Sequence, residues 1–379
     1  MENQLKEDTK SLTLRDIRQR EWAQEWLKTK FGIIYICPRA GKIKTSLIAI
    51  SLLGIAKPRV LIIYPIETIK TSWVQDLEKW GYVNPDITYT TTASLWKLSE
   101  KPELYDVIVV DEIHSLSEAN LKELRILIDF GNKQVLGLSG TISEKTRIEI
   151  FDALSLPIVA YYPIEQAIKE KVITDYEITV ILLDLDNKEK YIKPFKSSNY
   201  FVTEKKRYDD LSKLISQKIM DMEDPGMLAL QRMHVLKRSI SKFEMIKRLL
   251  EKFKDERILV FTGLTEIADK LGIPVYHSKS KDEKYKQDFC SGKGNHLATV
   301  NMFEAGVTIK PINRAIIGSF DSNPENLSQR ISRLTGFEYD NPDKIAKIYI
   351  LSTETVERKW LDKALEFFDK SKVKYVRIV

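Results

Sequence analysis

The chain has 379 residues, 43% of them hydrophobic and 30% charged, and carries 60 lysines and arginines against 54 acids for a net charge of +6. That composition excludes a disordered or collagen-like chain, and the length favours two domains that each bury a core. The basic excess is mild, so a solvated surface accounts for it as well as a nucleic-acid footprint does.

Residues 1–10 are polar and lack the apolar core of a secretory signal, and no later apolar run approaches the roughly 20 residues of a membrane span. A soluble, intracellular (cytoplasmic) protein without membrane contact is expected. Residues 14–26 predict a helix, with Ile17, Trp22 and Trp26 near helical spacing and charges between them. Its Arg15, Arg18 and Gln19 stand just before the next strand. Recognition of an adenine by Gln19 or by one of the arginines fits that position, and so does a plain surface helix packing one aromatic face.

The apolar run 31–36 leads into Cys37-Pro38-Arg39-Ala40-Gly41-Lys42-Ile43-Lys44-Thr45 and then the apolar-rich stretch 46–53. A buried strand, a small-residue turn and a helix start make a phosphate cradle, in which backbone N–H groups and one lysine meet a nucleotide's charge. Arg39, Ala40, Gly41, Lys42, Lys44 and Thr45 are the candidate nucleotide-binding residues. The stretch departs from a P-loop at Ile43, where Ser or Thr ordinarily follows the lysine. Cys37 and Cys290 are far apart and lack CxxC partners, which argues against a disulfide framework or zinc site and for a reducing compartment.

Residues 59–65 read as a buried parallel strand ended by Pro65, and 66–80 as a helix with Trp73, Leu77 and Trp80 on one face. The strand-and-helix alternation repeats through 87–91 and 94–98, which argues for a doubly wound, mostly parallel α/β sheet. The strand 105–110 ends on Asp111-Glu112-Ile113-His114. Carboxyl ends of strands form the ligand crevice of an open parallel sheet. Asp111 there can hold Mg²⁺, and Glu112 can orient or deprotonate a water beside a γ-phosphate. The strand 134–138 ends on Ser139-Gly140-Thr141, which reads as a turn or as a sensor of the nucleotide state.

A second half begins after Pro157 and Pro163. Residues 176–185 look like an alternating strand, and 187–254 look largely helical, with basic clusters at Lys205-Lys206-Arg207 and Lys237-Arg238. Such clusters are solvated faces or nucleic-acid contacts. The strand-then-helix rhythm returns at 257–263, 275–277, 296–300 and 315–318. Later landmarks are Phe303-Glu304-Ala305-Gly306-Val307-Thr308 and Gln329-Arg330-Ile331-Ser332-Arg333. The expected organisation is two α/β lobes, 1–165 and 166–379, the second opening with a helical segment at about 187–254.

The ordered set of a GK turn, DExH, SGT, a Gly-containing loop and QRxxR resembles the superfamily-two helicases and translocases over roughly residues 14–333. The segment from Leu61 through Pro65, Ser72-Trp73 and Leu77-Glu78-Lys79-Trp80 looks most like the Swi/Snf-type branch, and the compact length is similar to phage-encoded members. The resemblance implies two RecA-like lobes with ATP between them and nucleic acid lying across both. It implies Lys42 on the β and γ phosphates, Asp111 and Glu112 serving Mg²⁺ and water, and Gly306 at the nucleotide. His114, Ser139 and Thr141 would couple that site to DNA. Arg333 matches the arginine finger, and Gly336 stands where many relatives carry a second one, for which Arg330 could compensate. Pro65, Thr68, Lys70, Thr91, Thr262, Gly263, Thr299 and Asn301 match places that grip a nucleic-acid backbone. A monomeric DNA-dependent motor, with replication or recombination proteins as partners, is expected from this resemblance. An ATPase-impaired clamp of the same fold, motivated by Ile43, and an RNA helicase are the alternatives.

Overall fold

A computed structural model describes residues 12–80, 86–188, 190–195, 198–277, 280, 283–300, 312, 314–332, 334–336, 341 and 343–378. The chain forms two compact units that change over between Thr174 and Asp175.

In the first unit, α1 (Leu14–Thr29) starts at a capping box: Thr13 Oγ1 accepts from the Asp16 N–H, and Asp16 Oδ2 accepts from the Thr13 N–H. There follow β1 (Phe31–Ile36), α2 (Lys42–Ser51), β2 (Arg59–Tyr64), α3 (Thr68–Lys79), β3 (Asp86–Thr91), α4 (Trp96–Ser99), β4 (Val107–Val110), α5 (Glu118–Asp129), β5 (Gln134–Ser139), α6 (Glu144–Leu154), β6 (Ile158–Tyr162) and α7 (Ile164–Lys169). The strands pair in parallel in the order β3-β2-β4-β5-β1-β6. Their continuous apolar runs suit a sheet covered on both faces, and β4 is buried at all four positions. Leu61, Ile63, Ile108, Val110 and Val135 build one face's core with Leu121, Leu124 and Leu127 of α5.

The first unit continues past residue 165 because α7 and its tail pack into it. Ala167, Val172 and Ile173 are buried, and Glu170 receives two hydrogen bonds from Arg18 of α1, at 2.7 and 2.8 Å.

The second unit contains β7 (Asp175–Leu183), β8 (Lys190–Phe195), β9 (Ser198–Thr203), α8 (Glu204–Met220), α9 (Gly226–Lys237), α10 (Ile240–Lys252), β10 (Ile258–Thr262), α11 (Thr265–Asp269), β11 (Val275–Tyr276), α12 (Lys284–Cys290), β12 (His296–Val300), β13 (Arg314–Ile317), α13 (Pro324–Ser332), β14 (Ile345–Thr353), α14 (Val356–Ala364) and β15 (Val373–Arg377). Seven strands pair in parallel in the order β11-β12-β10-β13-β14-β7-β15. The expectation of two doubly wound α/β lobes is met.

One correction concerns the segment expected to be helical from 187. It opens with the antiparallel hairpin β8/β9, and helices start only at Glu204. Pro194 is incompatible with a helix interior, and Tyr191, Ile192, Tyr200, Phe201 and Val202 are strand-favouring types.

Candidate active site

The polypeptide leaves β1 at Cys37, whose N–H donates to the Tyr162 carbonyl at 2.9 Å. Burial pushes the Cys37 thiol up to about 12, so this sulfur is an inert packing group. The turn that follows holds Arg39 at φ 72° and Gly41 at φ 100°, on either side of the fully buried Ala40. Gln19 Nε2 donates to the Ala40 carbonyl at 2.8 Å, Arg15 Nε to the same oxygen at 3.3 Å, and Arg15 Nη2 to the Arg39 carbonyl at 2.6 Å. Helix α1 therefore fixes the loop through its carbonyl groups. The first-turn N–H groups of α2, which no helical carbonyl can take, remain for a ligand's oxygens. Gly41 is obligatory twice over: its φ is left-handed, and a Cβ there would overlap Gln19 Nε2.

Gln19 is 2% exposed and its Oε1 has no hydrogen-bond partner. A buried acceptor left this way costs about 1–3 kcal/mol, a cost a ligand N–H would remove. That acceptor, beside a cradle of backbone N–H groups and a lysine, fits an adenine nucleotide.

Lys42 is ion-paired with Glu112 Oε1. The side chains of its neighbours on α2 have partners of their own. Lys44 pairs with Asp16 at 2.5 Å and lies 3.7 Å from the centre of the Trp80 ring. Thr45 Oγ1 donates back to the Gly41 carbonyl at 3.0 Å, and Ser46 Oγ to the Lys42 carbonyl at 2.8 Å. Neither hydroxyl stands in for the one that Ile43 lacks.

At the end of β4, Asp111 is 5% exposed. Its Oδ1 accepts from the Glu112 N–H and its Oδ2 from Trp73 Nε1, both at 3.0 Å. Burial pushes the Asp111 carboxyl above the usual carboxylate range; Lys42 opposes that shift and Glu112 adds to it. Trp73 is fully buried on α3, so its indole is a rigid holder of Asp111. Sequence reading treated Trp73 only as a landmark, because no local pattern reports a contact with a residue 38 positions away. Glu112 sits at φ 50°, a strained position for a residue with a side chain.

His114 Nδ1 lies 2.6 Å from Ser139 Oγ and 3.5 Å from Glu112 Oε2. Ser139 Oγ donates its single proton to the Thr141 carbonyl at 2.9 Å and must therefore accept from His114 Nδ1–H. Burial lowers the His114 pKa, which keeps the ring neutral in that tautomer. The Thr141 N–H closes the link on Ser139 Oγ at 3.3 Å. Lys42, Glu112, His114, Ser139 and Thr141 thus form one polar chain across the carboxyl ends of β1, β4 and β5, which lie side by side in the sheet.

Pro65 and Thr91 stand at the ends of the adjacent strands β2 and β3, and Thr68 and Lys70 are exposed on the first turn of α3. In the second unit Thr262 and Thr299 are buried at the ends of β10 and β12. Gly263 is packed so closely that a Cβ would overlap Ser319 Oγ and come within 2.7 Å of Lys237 Cγ. Arg330 is 3% exposed, and its Nη1 donates to the Ser319 carbonyl at 2.7 Å, which pins that loop. At Gly336 a Cβ would meet nothing within 4 Å. Asn301, Gly306 and Arg333 lie outside the described residues. Among those described, no group of three or more His, Cys, Asp or Glu side chains is placed to hold a metal, and no helix is long and apolar enough to cross a membrane.

The family model of the helicase conserved C-terminal domain matches residues 241–335. The DNA 3'-5' translocase XPB2 of Sulfurisphaera tokodaii is 26% identical over 353 residues, spanning 85% of this chain and 78% of that protein. Both matches make the chain similar to the superfamily-two helicase and translocase type. Nucleic-acid-dependent ATPase activity comes with that type. Solved structures of similar fold include S. cerevisiae Dbp5 bound to RNA and ADP BeF3, with a TM-score of 0.55 at 12% identity, covering 95% of this chain and 89% of that one. Another is the type ISP restriction-modification enzyme LlaBIII bound to DNA, with a TM-score of 0.60 at 13% identity, covering 97% of this chain and 31% of that one.

Proposed function

We propose that the chain is a DNA-dependent ATPase that moves along DNA in the 3'-to-5' direction and opens or remodels duplex, forked or branched DNA. The observation that carries this reading is the polar chain from Lys42 through Glu112 and His114 to Ser139 and Thr141, because it ties the phosphate cradle to two further strand ends. A nucleotide phosphate takes the Lys42 ammonium from Glu112, and the freed Glu112 carboxylate becomes available to a water. His114 sits between Glu112 and Ser139, so a change at Glu112 is felt at the Ser139-Thr141 turn. Gln19 receives the adenine amino group on its orphaned oxygen. Asp111, held by Trp73, is the ligand for Mg²⁺, which supplies charge neutralisation at the phosphates when bound. Arg333 is the proposed arginine finger, and Pro65, Thr68, Lys70 and Thr91 supply the first unit's grip on the DNA backbone.

The experiment is ATP turnover with and without DNA, for the natural chain and Lys42→Ala. Stimulation by DNA that Lys42→Ala abolishes is the expected result; equal turnover with and without DNA refutes the proposal. DNA is preferred to RNA because the relative aligned along most of the chain is named for DNA, whereas the fold alone is found with either nucleic acid. RNA stimulating as strongly as DNA reverses that preference.

A second reading, an ATPase-impaired DNA clamp, is favoured by one observation: Ile43 carries no hydroxyl, and those of Thr45 and Ser46 are tied to helix carbonyls. Ile43→Thr separates the two. A large gain in turnover assigns the natural chain to the clamp, and little change leaves it a motor.

A further inference from the structure

Helices α8 and α9 follow one another through residues 221–225 and are linked side to side, Arg232 Nη1 donating to Ser212 Oγ at 3.3 Å. Their buried apolar residues, Leu211 and Ile215 on α8 and Val235 and Leu236 on α9, lie away from the connection. At the connection itself the pattern inverts. Met220 is 75% exposed, Met222 97% and Met227 73%, with Ile219 and Leu230 also exposed beside them. Single exposed apolar residues need no explanation, but a cluster on one tip marks a contact surface.

The backbone sharpens the point. Helix α8 ends in a Schellman motif: Glu223 N–H donates to the Lys218 carbonyl at 2.8 Å and Met222 N–H to the Ile219 carbonyl at 3.2 Å. Met222 occupies the left-handed position, φ 55°, where glycine is the favoured residue. Both the backbone and the solvent disfavour methionine there, and at 97% exposure the chain's own core makes no use of it. A residue that breaks its local rules without a return inside the fold marks a candidate external contact.

Charge selects the occupant. Asp221, Glu223 and Asp224 are all exposed around the methionines, on a chain whose net charge is +6. Lys218 is ion-paired with Glu223, and three acids against that one lysine leave the tip net acidic. An acidic rim repels a phosphate backbone, so nucleic acid is a poor occupant. Methionine side chains conform to varied apolar faces, and an acidic rim orients a cationic one.

We propose that this tip is a docking surface for a basic amphipathic helix of a partner protein, its apolar face on Met220, Met222 and Met227 and its lysines or arginines against Asp221, Glu223 and Asp224. The proposal does not depend on the reading of the ATP site.

The test uses the full chain and a fluorescent amphipathic helical peptide of leucines and lysines, about five turns long. The peptide binds, and replacing Met220, Met222 and Met227 together by serine weakens it by at least about tenfold, as hot-spot removal does. Asp221→Lys weakens it as well, while a leucine/glutamate peptide does not bind. Met222→Gly provides a readout that a structural role cannot mimic, since it relieves the left-handed strain: the thermal midpoint rises while peptide affinity falls. Equal peptide binding by the triple variant overturns the proposal, as does equal binding of the glutamate peptide. Loss of duplex-DNA affinity in the triple variant with peptide binding intact overturns it in favour of a DNA wedge. Concentration-dependent sedimentation of the natural chain that the triple variant abolishes overturns it in favour of self-association.

Discussion

Replacing Trp73 by phenylalanine removes one atom that matters to chemistry and two that matter to packing. The indole N–H is the donor to Asp111 Oδ2 at 3.0 Å, and the ring is fully buried. Losing a hydrogen bond to a charged group costs about 1.5–3 kcal/mol. The two lost carbons add about 0.8 kcal/mol each of burial. The sum, roughly 3–5 kcal/mol, is a large share of a domain's net stability of about 5–15 kcal/mol. With a urea slope near 2 kcal/mol per molar, the first unit's unfolding midpoint falls by about 2 M. The functional effect is separable. A metal ligand that loses its orienting partner typically loses about 10–100-fold in metal affinity or activity, so the Mg²⁺ concentration for half-maximal ATP turnover rises by that factor and saturating Mg²⁺ restores much of the rate. Trp26→Phe is the control: Trp26 is equally buried in the same unit, but its Nε1 donates to the Val135 carbonyl at 2.9 Å. It should lose comparable stability with unchanged Mg²⁺ dependence. If Trp73→Phe and Trp26→Phe give the same Mg²⁺ dependence, the assignment of Trp73 as the holder of Asp111 is wrong.

Three further outcomes are expected. Lys242 and Glu357 form an ion pair at 2.5 Å with side chains 3% and 2% exposed, so Lys242→Met destabilises the second unit by about 3–5 kcal/mol in urea unfolding. Adding Glu357→Gln recovers part of that loss, because the stranded charge is gone. The Arg18 guanidinium hydrogen-bonded to Glu170 holds its carboxyl down at about 2, against an ordinary 4.5. Folding lowers this pKa, so its stabilisation is complete above the ordinary value and fades as pH falls from there towards 2. The difference in urea midpoint between the natural chain and Glu170→Gln should shrink over that window, and a constant difference argues against the linkage. Gly336→Arg meets open space and should keep the thermal midpoint. A rise in DNA-stimulated turnover identifies position 336 as the second-finger place, and an unchanged rate removes it.

Much of the fold was legible because burial on both faces of a parallel sheet writes itself as short apolar runs. Those at 31–36, 59–65 and 134–138 lie within a residue of β1, β2 and β5. The hairpin β8/β9 was misread because lysines and short apolar runs fit either period over so few residues, and Pro194 was the overlooked signal. The site was legible in its parts and not in its wiring. Gly41, Lys42, Asp111 and Glu112 announced themselves by type and order, since phosphate and metal chemistry restrict which side chains serve.

What the sequence determined by itself was therefore the inventory: two α/β lobes, a lysine cradle, paired acids at a strand end, and a missing hydroxyl at Ile43. Tertiary structure alone decided how that inventory is spent. Trp73 was drawn to Asp111, Arg15 and Gln19 to the loop's carbonyls, and Lys44 to Asp16 and Trp80. Arg330 and Thr299 were buried, and Met222 was left in solvent at a backbone angle that suits glycine. The reason is physical. Residue type fixes what a side chain can donate, accept or bury, but partners separated by tens of residues are chosen only when the sheet order brings strand ends together.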